Sequence, residues 1–538
     1  MGGPASVGRF GGGAWGRINA ADLDGDGLLD VVAVFGAGGG AKGTYSGLYV
    51  YHRLGEARDN LLDAGLRLAP LTLVGENTPL IGDADGDGRP DIYCGGWLFL
   101  NRSVPGSLRF ARPRRAPKPD WPDPGTMDWN GDGVPDHFVE DMWHLRLVDG
   151  KTGAASYLQV GDSDLLQDIF IRPCVCDWNG DGHHHILIGQ ESGHITWIEN
   201  RDGRLLLERY LRQRAPNVKS GCLSVPTVCD WNGDGDLDLI VGNAAGFIEY
   251  FEYKNGVFLP PVRLQADGKE IRILAGESGS IQGALEARWG YTNPTVADWD
   301  LDGDLDLLVG CVTGEVFLFE NIGSRQSPRL AAPQKLQVDW GDRPPVYPAG
   351  LRYTPGKSDL ITQWRCRPQV LDWDGDGLPD LIAVDAEGFL AWYPRYRRAD
   401  GRLGLRPPEH PFLYENGQPI RFCNSPEPGK NGRIVFALAD WDGDGDLDII
   451  RNGGPQHGTS LNSHSNFAWL ECLRRESEHR AIYRWRGELI PSDRIRLQGH
   501  NTSPYPVDIN GDGRLDLISG CEDGNLYWFS RDWIDHLL

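Results

Sequence analysis

The chain has 538 residues, with 76 Asp and Glu against 53 Lys and Arg and a formal net charge of −23. That acid excess argues against a nucleic-acid partner, whose phosphates need a basic face, and a hydrophobic content of 40% excludes wholesale disorder. No apolar run reaches the ~18 residues of a membrane span.

Along the chain, one nine-residue segment recurs nine times. It reads DLDGDGLLD from Asp22 (with Asp24, Asp26, Asp30), DADGDGRPD from Asp83 (Asp85, Asp87, Asp91) and DWNGDGVPD from Asp128 (Asn130, Asp132, Asp136). The fourth is DWNGDGHHH from Asp177 (Asn179, Asp181), the fifth DWNGDGDLD from Asp230 (Asn232, Asp234, Asp238), the sixth DWDLDGDLD from Asp298 (Asp300, Asp302, Asp306). The last three are DWDGDGLPD from Asp372 (Asp374, Asp376, Asp380), DWDGDGDLD from Asp440 (Asp442, Asp444, Asp448) and DINGDGRLD from Asp508 (Asn510, Asp512, Asp516).

These loops hold 34 of the 76 acidic residues, leaving 42 acidic against 53 basic elsewhere, a balance of +11. Carboxylates at alternate positions repel one another unless a cation sits among them. Oxygen donors at loop positions 1, 3, 5 and 9, with a backbone carbonyl near 7, suit a hard ion such as Ca²⁺. Several calcium ions, mainly structural, are therefore expected. An EF-hand is excluded: position 12 is Ala33 in the first loop and Val241 in the fifth, where an EF-hand needs Glu. The fourth loop is the exception. His185 replaces the last Asp, so this loop is expected to hold calcium weakly or not at all.

Each loop runs into an apolar strand, such as LDLIVG from Leu237 or LDLLVG from Leu305. A glycine turn (Ala245-Gly246, Thr313-Gly314, Asp523-Gly524) and an aromatic strand follow. With a variable outer strand, each repeat makes a four-stranded antiparallel blade. The expected fold is all-β: a single β-propeller over 1–538, with nine repeats counted and seven to nine blades. Repeat intervals of 45 and 49 residues leave the third unit cramped, as an incomplete or inserted blade. The last repeat stops after LYWF (Leu526 to Phe529), and residues 1–12 are expected to supply its closing strand through Ser6 to Phe10. Trp129, Trp178, Trp231, Trp299, Trp373 and Trp441, all at loop position 2, are expected to pack between blades.

The D-x-[DN]-G-D-G-x-x-D loops and their strands resemble the FG-GAP/VCBS repeat family over nearly the whole chain. That resemblance implies a calcium-binding propeller and is almost silent on function. In such propellers the calcium loops lie on the lower face, so segments upstream of the inner strands line the upper mouth. Here they carry Gln282, Glu286, Arg288, Trp289 and Tyr291, then Gln363, Trp364, Arg365 and Arg367, and finally His500 and Asn501, with His457 and His464 on an expanded turn. Arginine forks onto carboxylates and aromatic rings stack on sugars, which points to an anionic polysaccharide or oligosaccharide.

Propellers of this kind resemble polysaccharide lyases such as rhamnogalacturonan and ulvan lyases, which implies β-elimination. Arg365 or Arg288 would neutralise the uronate, His500 or Tyr291 would take the C5 proton, and His464 or Tyr291 would protonate the leaving oxygen. Trp289, Trp364, Gln363, Arg367, Asn501, Gln282 and His457 would bind the sugar. The alternatives are a non-catalytic glycan- or protein-binding propeller, or a glycoside hydrolase using Glu286 with Glu522 or Asp523. The ten cysteines read mostly as small buried hydrophobes. A monomeric, secreted or periplasmic protein with its signal segment removed is expected, because such loops need millimolar-range calcium.

Overall fold

Each Asp loop joins two antiparallel strands, and its last position is the first residue of the second strand. Cys229 pairs with Asp238 and Ala297 with Asp306, closing each hairpin around the loop. The computed structural model describes all residues except 1–13, 37–45, 56–60, 142–143, 162–171, 190–194, 202, 214–217, 278, 282–285, 349, 423–431, 454–466, 477–478, 491–496, 498–501, 522–523 and 538.

Nine sheets follow the nine loops and are numbered here in chain order. Sheets 1 to 6 contain four antiparallel strands each. Sheet 6, for example, runs Asn293–Ala297, Asp306–Gly310, Val316–Phe319 and Gln334–Lys335. The third repeat, expected to be incomplete, forms a full sheet from Thr126–Met127 to Ala155–Tyr157, with short edge strands that fit the tight spacing. Sheet 7 has three strands, and sheet 8 has five because Phe412–Tyr414 adds in parallel to Ala481–Glu488. Sheet 9 stops at three strands, Thr502–Val507, Asp516–Cys521 and Leu526–Phe529. A short helix, Arg531–Asp535, follows and is capped by the Ser530 side chain. The expected closing segment, residues 1–12, lies outside the described residues.

The chain divides into two compact units: residues 1–222 with 523–525, and residues 223–522 with 526–538. In the first unit, the inner strand of sheet 1 (Ala14–Ala21) lies against those of both sheet 2 and sheet 4. Ile18, Phe35, Cys174, Trp178 and Leu187 form the core between sheets 1 and 4. In the second unit, the inner strand of sheet 5 (Val225–Cys229) touches those of sheet 6 and sheet 9. Buried cores fill the joints from sheet 5 through sheet 9 in turn.

The tryptophans at loop position 2 have a recurrent partner, an arginine at or just beyond the end of the third strand of the next repeat. Arg395 stacks 3.5 Å from the Trp299 ring centroid, Arg475 4.3 Å from Trp373 and Arg531 4.3 Å from Trp441. Each also donates to the main-chain carbonyl of the tryptophan it covers. In the first unit Arg53 of sheet 1 makes the same clamp on Trp178 of sheet 4. A desolvated cation–π contact contributes up to about 2 kcal/mol, so each clamp helps hold neighbouring sheets together.

Of the nine described cysteines seven are buried, in keeping with small core residues. Among the described residues no helix is long and apolar enough to cross a membrane.

Candidate functional site

The loops are preorganised by their own backbone. In the first, Asp22 Oδ1 accepts from Gly25 N–H at 2.7 Å and Oδ2 from Gly27 N–H at 2.9 Å, while Asp26 Oδ1 accepts from Leu28 N–H at 2.8 Å. Gly25 and Gly27 have φ of 78° and 88°, a region costly for other residues. The sixth loop places Leu301 there at φ 68°. Carboxylate oxygens of positions 1, 3 and 9 converge within 4.8 Å in the first and second loops, as do those of positions 1, 3 and 5 in the sixth.

Position 9 does two jobs. Asp306 is 1% exposed, and its carboxylate accepts from Trp299 N–H at 3.0 Å and Asn321 N–H at 2.7 Å. It thereby ties the loop to the residue two places past the third strand, Asp30 and Asp380 make the equivalent bond, and Asp448 bonds within its longer third strand at Cys472. Burial pushes Asp30 up to about 6 and Asp306 and Asp448 up to about 7, with nearby loop carboxylates adding to the rise. A cation among these oxygens would remove that penalty. In the sixth loop Asp304, 8% exposed, also has a buried Oδ1 with no hydrogen-bond partner. In the second loop, exposed Arg102 bridges Asp85 and Asp87 at 2.8 and 3.0 Å. Such a surface pair contributes about 0–1 kcal/mol and gives way readily to a divalent ion.

The fourth loop is wired differently. His185 is fully buried, and its Nδ1 accepts from Asn200 N–H at 3.0 Å. In neutral imidazole the other nitrogen then carries the proton. That Nε2–H lies 2.8 Å from Asn179 Oδ1 and 3.2 Å from Asp181 Oδ1. An N–H therefore points at the oxygens that a cation would need, so this loop does not fit calcium.

At the expected mouth, repeat-equivalent residues two places before Val225, Asn293, Arg367 and Val435, which begin or closely precede the inner strands, all adopt left-handed backbone. They are Leu223 (φ 56°), Tyr291 (45°), Arg365 (60°) and Arg433 (59°). This conformation turns side chains from successive sheets toward one another. The Arg365 guanidinium carbon lies 3.1 Å from the Tyr291 ring centroid and 4.5 Å from that of Trp364, and its Nη2 donates to Glu286 Oε1 at 3.0 Å. Arg433 approaches Trp364 at 5.3 Å, and Trp289 packs on Tyr291 at 4.9 Å. Burial raises the Glu286 carboxyl, with Arg365 and Arg433 opposing.

The structure thus gathers Tyr291, Arg365, Trp364, Trp289 and Glu286, but mostly in the interior. Tyr291 is 4% exposed, Trp364 2% and Arg365 4%. Gln363, expected to touch sugar, donates instead to Ala386 O at 2.6 Å. Arg367, expected as a ligand contact, is enclosed: it donates to Thr227 Oγ1 at 2.8 Å and Pro504 O at 3.4 Å and faces the Tyr505 ring at 4.7 Å. It thereby ties the inner strands of sheets 5 and 9 through Thr227 and Pro504. Arg288 is half-buried, and desolvation lowers its guanidinium pKa. His500, His464, His457, Asn501 and Gln282, with the alternative acids Glu522 and Asp523, lie outside the described residues. The clamp arginines escaped sequence reasoning, although Arg after the third strand recurs in HRL, PRY, RRE and SRD.

These features define a class: an all-β repeat protein of mostly four-stranded antiparallel sheets with acidic loops, consistent with a propeller. The FG-GAP-like repeat model matches residues 83–139, 177–241 and 230–309. No curated protein matches the chain. Among solved structures, an Agrocybe aegerita lectin recognising non-reducing terminal N-acetylglucosamine is 13% identical, over 74% of this chain and 92% of that one, with a TM-score of 0.28. BBS1N in complex with ARL6DN is 11% identical, over 84% and 91%, with a TM-score of 0.19. At such TM-scores neither bears on function here.

Proposed function

We propose that the chain is a calcium-stapled, non-catalytic binding propeller whose ligand is an acidic glycan. Convergent oxygens in loops 1, 2 and 6, backbone-held first-position carboxylates in the other loops with Asp at position 9, and the orphaned Asp304 oxygen support calcium there; in loop 4 the convergent group includes His185, whose N–H faces Asn179 and Asp181 and disfavours calcium. The neighbours of sheets 1 and 5, with the Arg53 clamp, support two closures, four blades in the first unit and five in the second.

The observation that favours binding over chemistry is the mutual occupation of the mouth residues. β-Elimination needs a cation free to meet the uronate and a base free to take the C5 proton. Arg365 is engaged by Glu286 and Tyr291, and Tyr291 lies beneath its guanidinium. The basic balance outside the loops supports an anionic ligand. The test is to incubate the calcium-loaded chain with hyaluronan oligosaccharides, with dextran as the neutral control. Saturable binding to the uronate polymer alone, without absorbance growing near ~235 nm from an unsaturated product, is expected. Growth of that absorbance would establish a lyase, and absence of binding would remove the glycan reading.

A further inference from the structure

The first loop has a donor that the repeat motif does not supply. The residue just before the main-chain donor to position 9 is Glu252, Glu320 and Glu471 in sheets 5, 6 and 8, but His52 in sheet 1. Its side chain is only 14% exposed and faces the loop. Nδ1 lies 3.1 Å from Asp30 Oδ1 and 3.5 Å from Asp24 Oδ2, and Nε2 lies 4.0 Å from Asp26 Oδ2. The Asp24 and Asp30 side chains are fully buried. Asp24, Asp26 and His52 each offer one ligand atom within 4.8 Å of the others, as do Asp22, Asp24 and Asp30.

These spans are those of ligands sharing one ion. Two ligands ~2.1 Å from a metal lie about 3.0–3.5 Å apart at tetrahedral or octahedral angles, and Nδ1 keeps that separation from two different carboxylates. The backbone holds both of them. Gly106 N–H donates to Asp24 Oδ2 at 2.6 Å and Arg53 N–H to Asp30 Oδ1 at 2.9 Å, which leaves each oxygen a further lone pair. The fourth loop is the contrast, because there a backbone N–H ties His185 Nδ1 and turns a protonated Nε2 toward the loop. Among the described residues no backbone N–H bonds the His52 ring, and the groups facing its nitrogens are carboxylates. Nδ1 is therefore able to present its lone pair with the proton on Nε2, on the side of Asp26. Metal-bound imidazoles commonly turn their second N–H toward a carboxylate in this way.

We propose that the first loop is a mixed nitrogen–oxygen site that takes a divalent transition-metal ion, with zinc as the probe, in preference to calcium. His52 Nδ1, Asp24 and Asp30 are its ligands. Calcium favours oxygen donors alone, whereas imidazole suits zinc and its neighbours. Where calcium is the only ion offered, the loop carboxylates still hold it. The proposal rests on the reading of the loops as metal sites, and the calcium count in the same experiment tests that reading separately.

The full chain, stripped with chelator, is dialysed against millimolar calcium with and without ~10 μM zinc chloride, and both metals are counted by elemental analysis. With zinc present the parent should lose one calcium and hold one zinc more than His52→Glu, which places there the residue of sheets 5, 6 and 8. That variant should keep the calcium and the parent's unfolding midpoint in calcium. His52→Ala should weaken the same zinc at least tenfold. Equal zinc counts in the parent and His52→Glu, or zinc that displaces no calcium, would overturn the proposal while leaving the calcium loops standing. Two or fewer calcium ions per chain without zinc would overturn both.

Discussion

Chelating calcium from the intact chain should lower its unfolding midpoint by about 20 °C in the second unit. Each occupied loop stabilises the folded state by RT ln(1 + [L]/Kd), about 2.7 kcal/mol at a hundredfold excess over Kd. All five loops of the second unit keep Asp at position 9, so together they contribute roughly 13 kcal/mol under those conditions. A unit of this size, about 300 residues, shifts by about 1.5 °C per kcal/mol. The first unit, with three such loops and the His185 loop, should shift less. A change below ~3 °C on adding EGTA, read by calorimetry, would mean that the loops hold themselves closed without metal.

Asp306→Ala should cost about 3–5 kcal/mol even in chelator, because it strands two main-chain N–H groups at about 1–3 kcal/mol each. Those donors are Trp299 and Asn321. Asp302→Ala should behave differently. Asp302 is exposed and accepts from Asp304 N–H, so its loss should matter mainly when calcium is present. Denaturant unfolding of both variants, with and without EGTA, separates structural clamp from ligand. If both lose stability only in calcium, position 9 is not a clamp.

The repeats were legible because nine copies of one loop fix where the hairpins are, and their tryptophans read correctly as packing residues. Their arginine partners were not legible: Arg395 lies 96 positions from Trp299, in the next repeat and outside the motif. The neighbours of the first and last sheets of each unit were also hidden, because every repeat carries the same loop whichever sheet it adjoins. At the mouth, the sequence indicated which residues gather but not that they are enclosed. Leu, Tyr, Arg and Arg at equivalent left-handed positions share no side-chain chemistry, and burial there depends on sheets more than 60 residues apart. His185 was read as a lost ligand. In the structure an N–H takes the cation's direction, which depends on a backbone donor, Asn200, invisible to any motif.

The most direct test is to count calcium. Equilibrium dialysis of the chelator-stripped chain against millimolar calcium, followed by elemental analysis, should give eight ions per chain, one for each loop with Asp at position 9. His185→Asp should raise the count to nine. Two or fewer ions per chain, or an unchanged count in His185→Asp, would contradict a calcium-stapled fold with one loop closed by histidine.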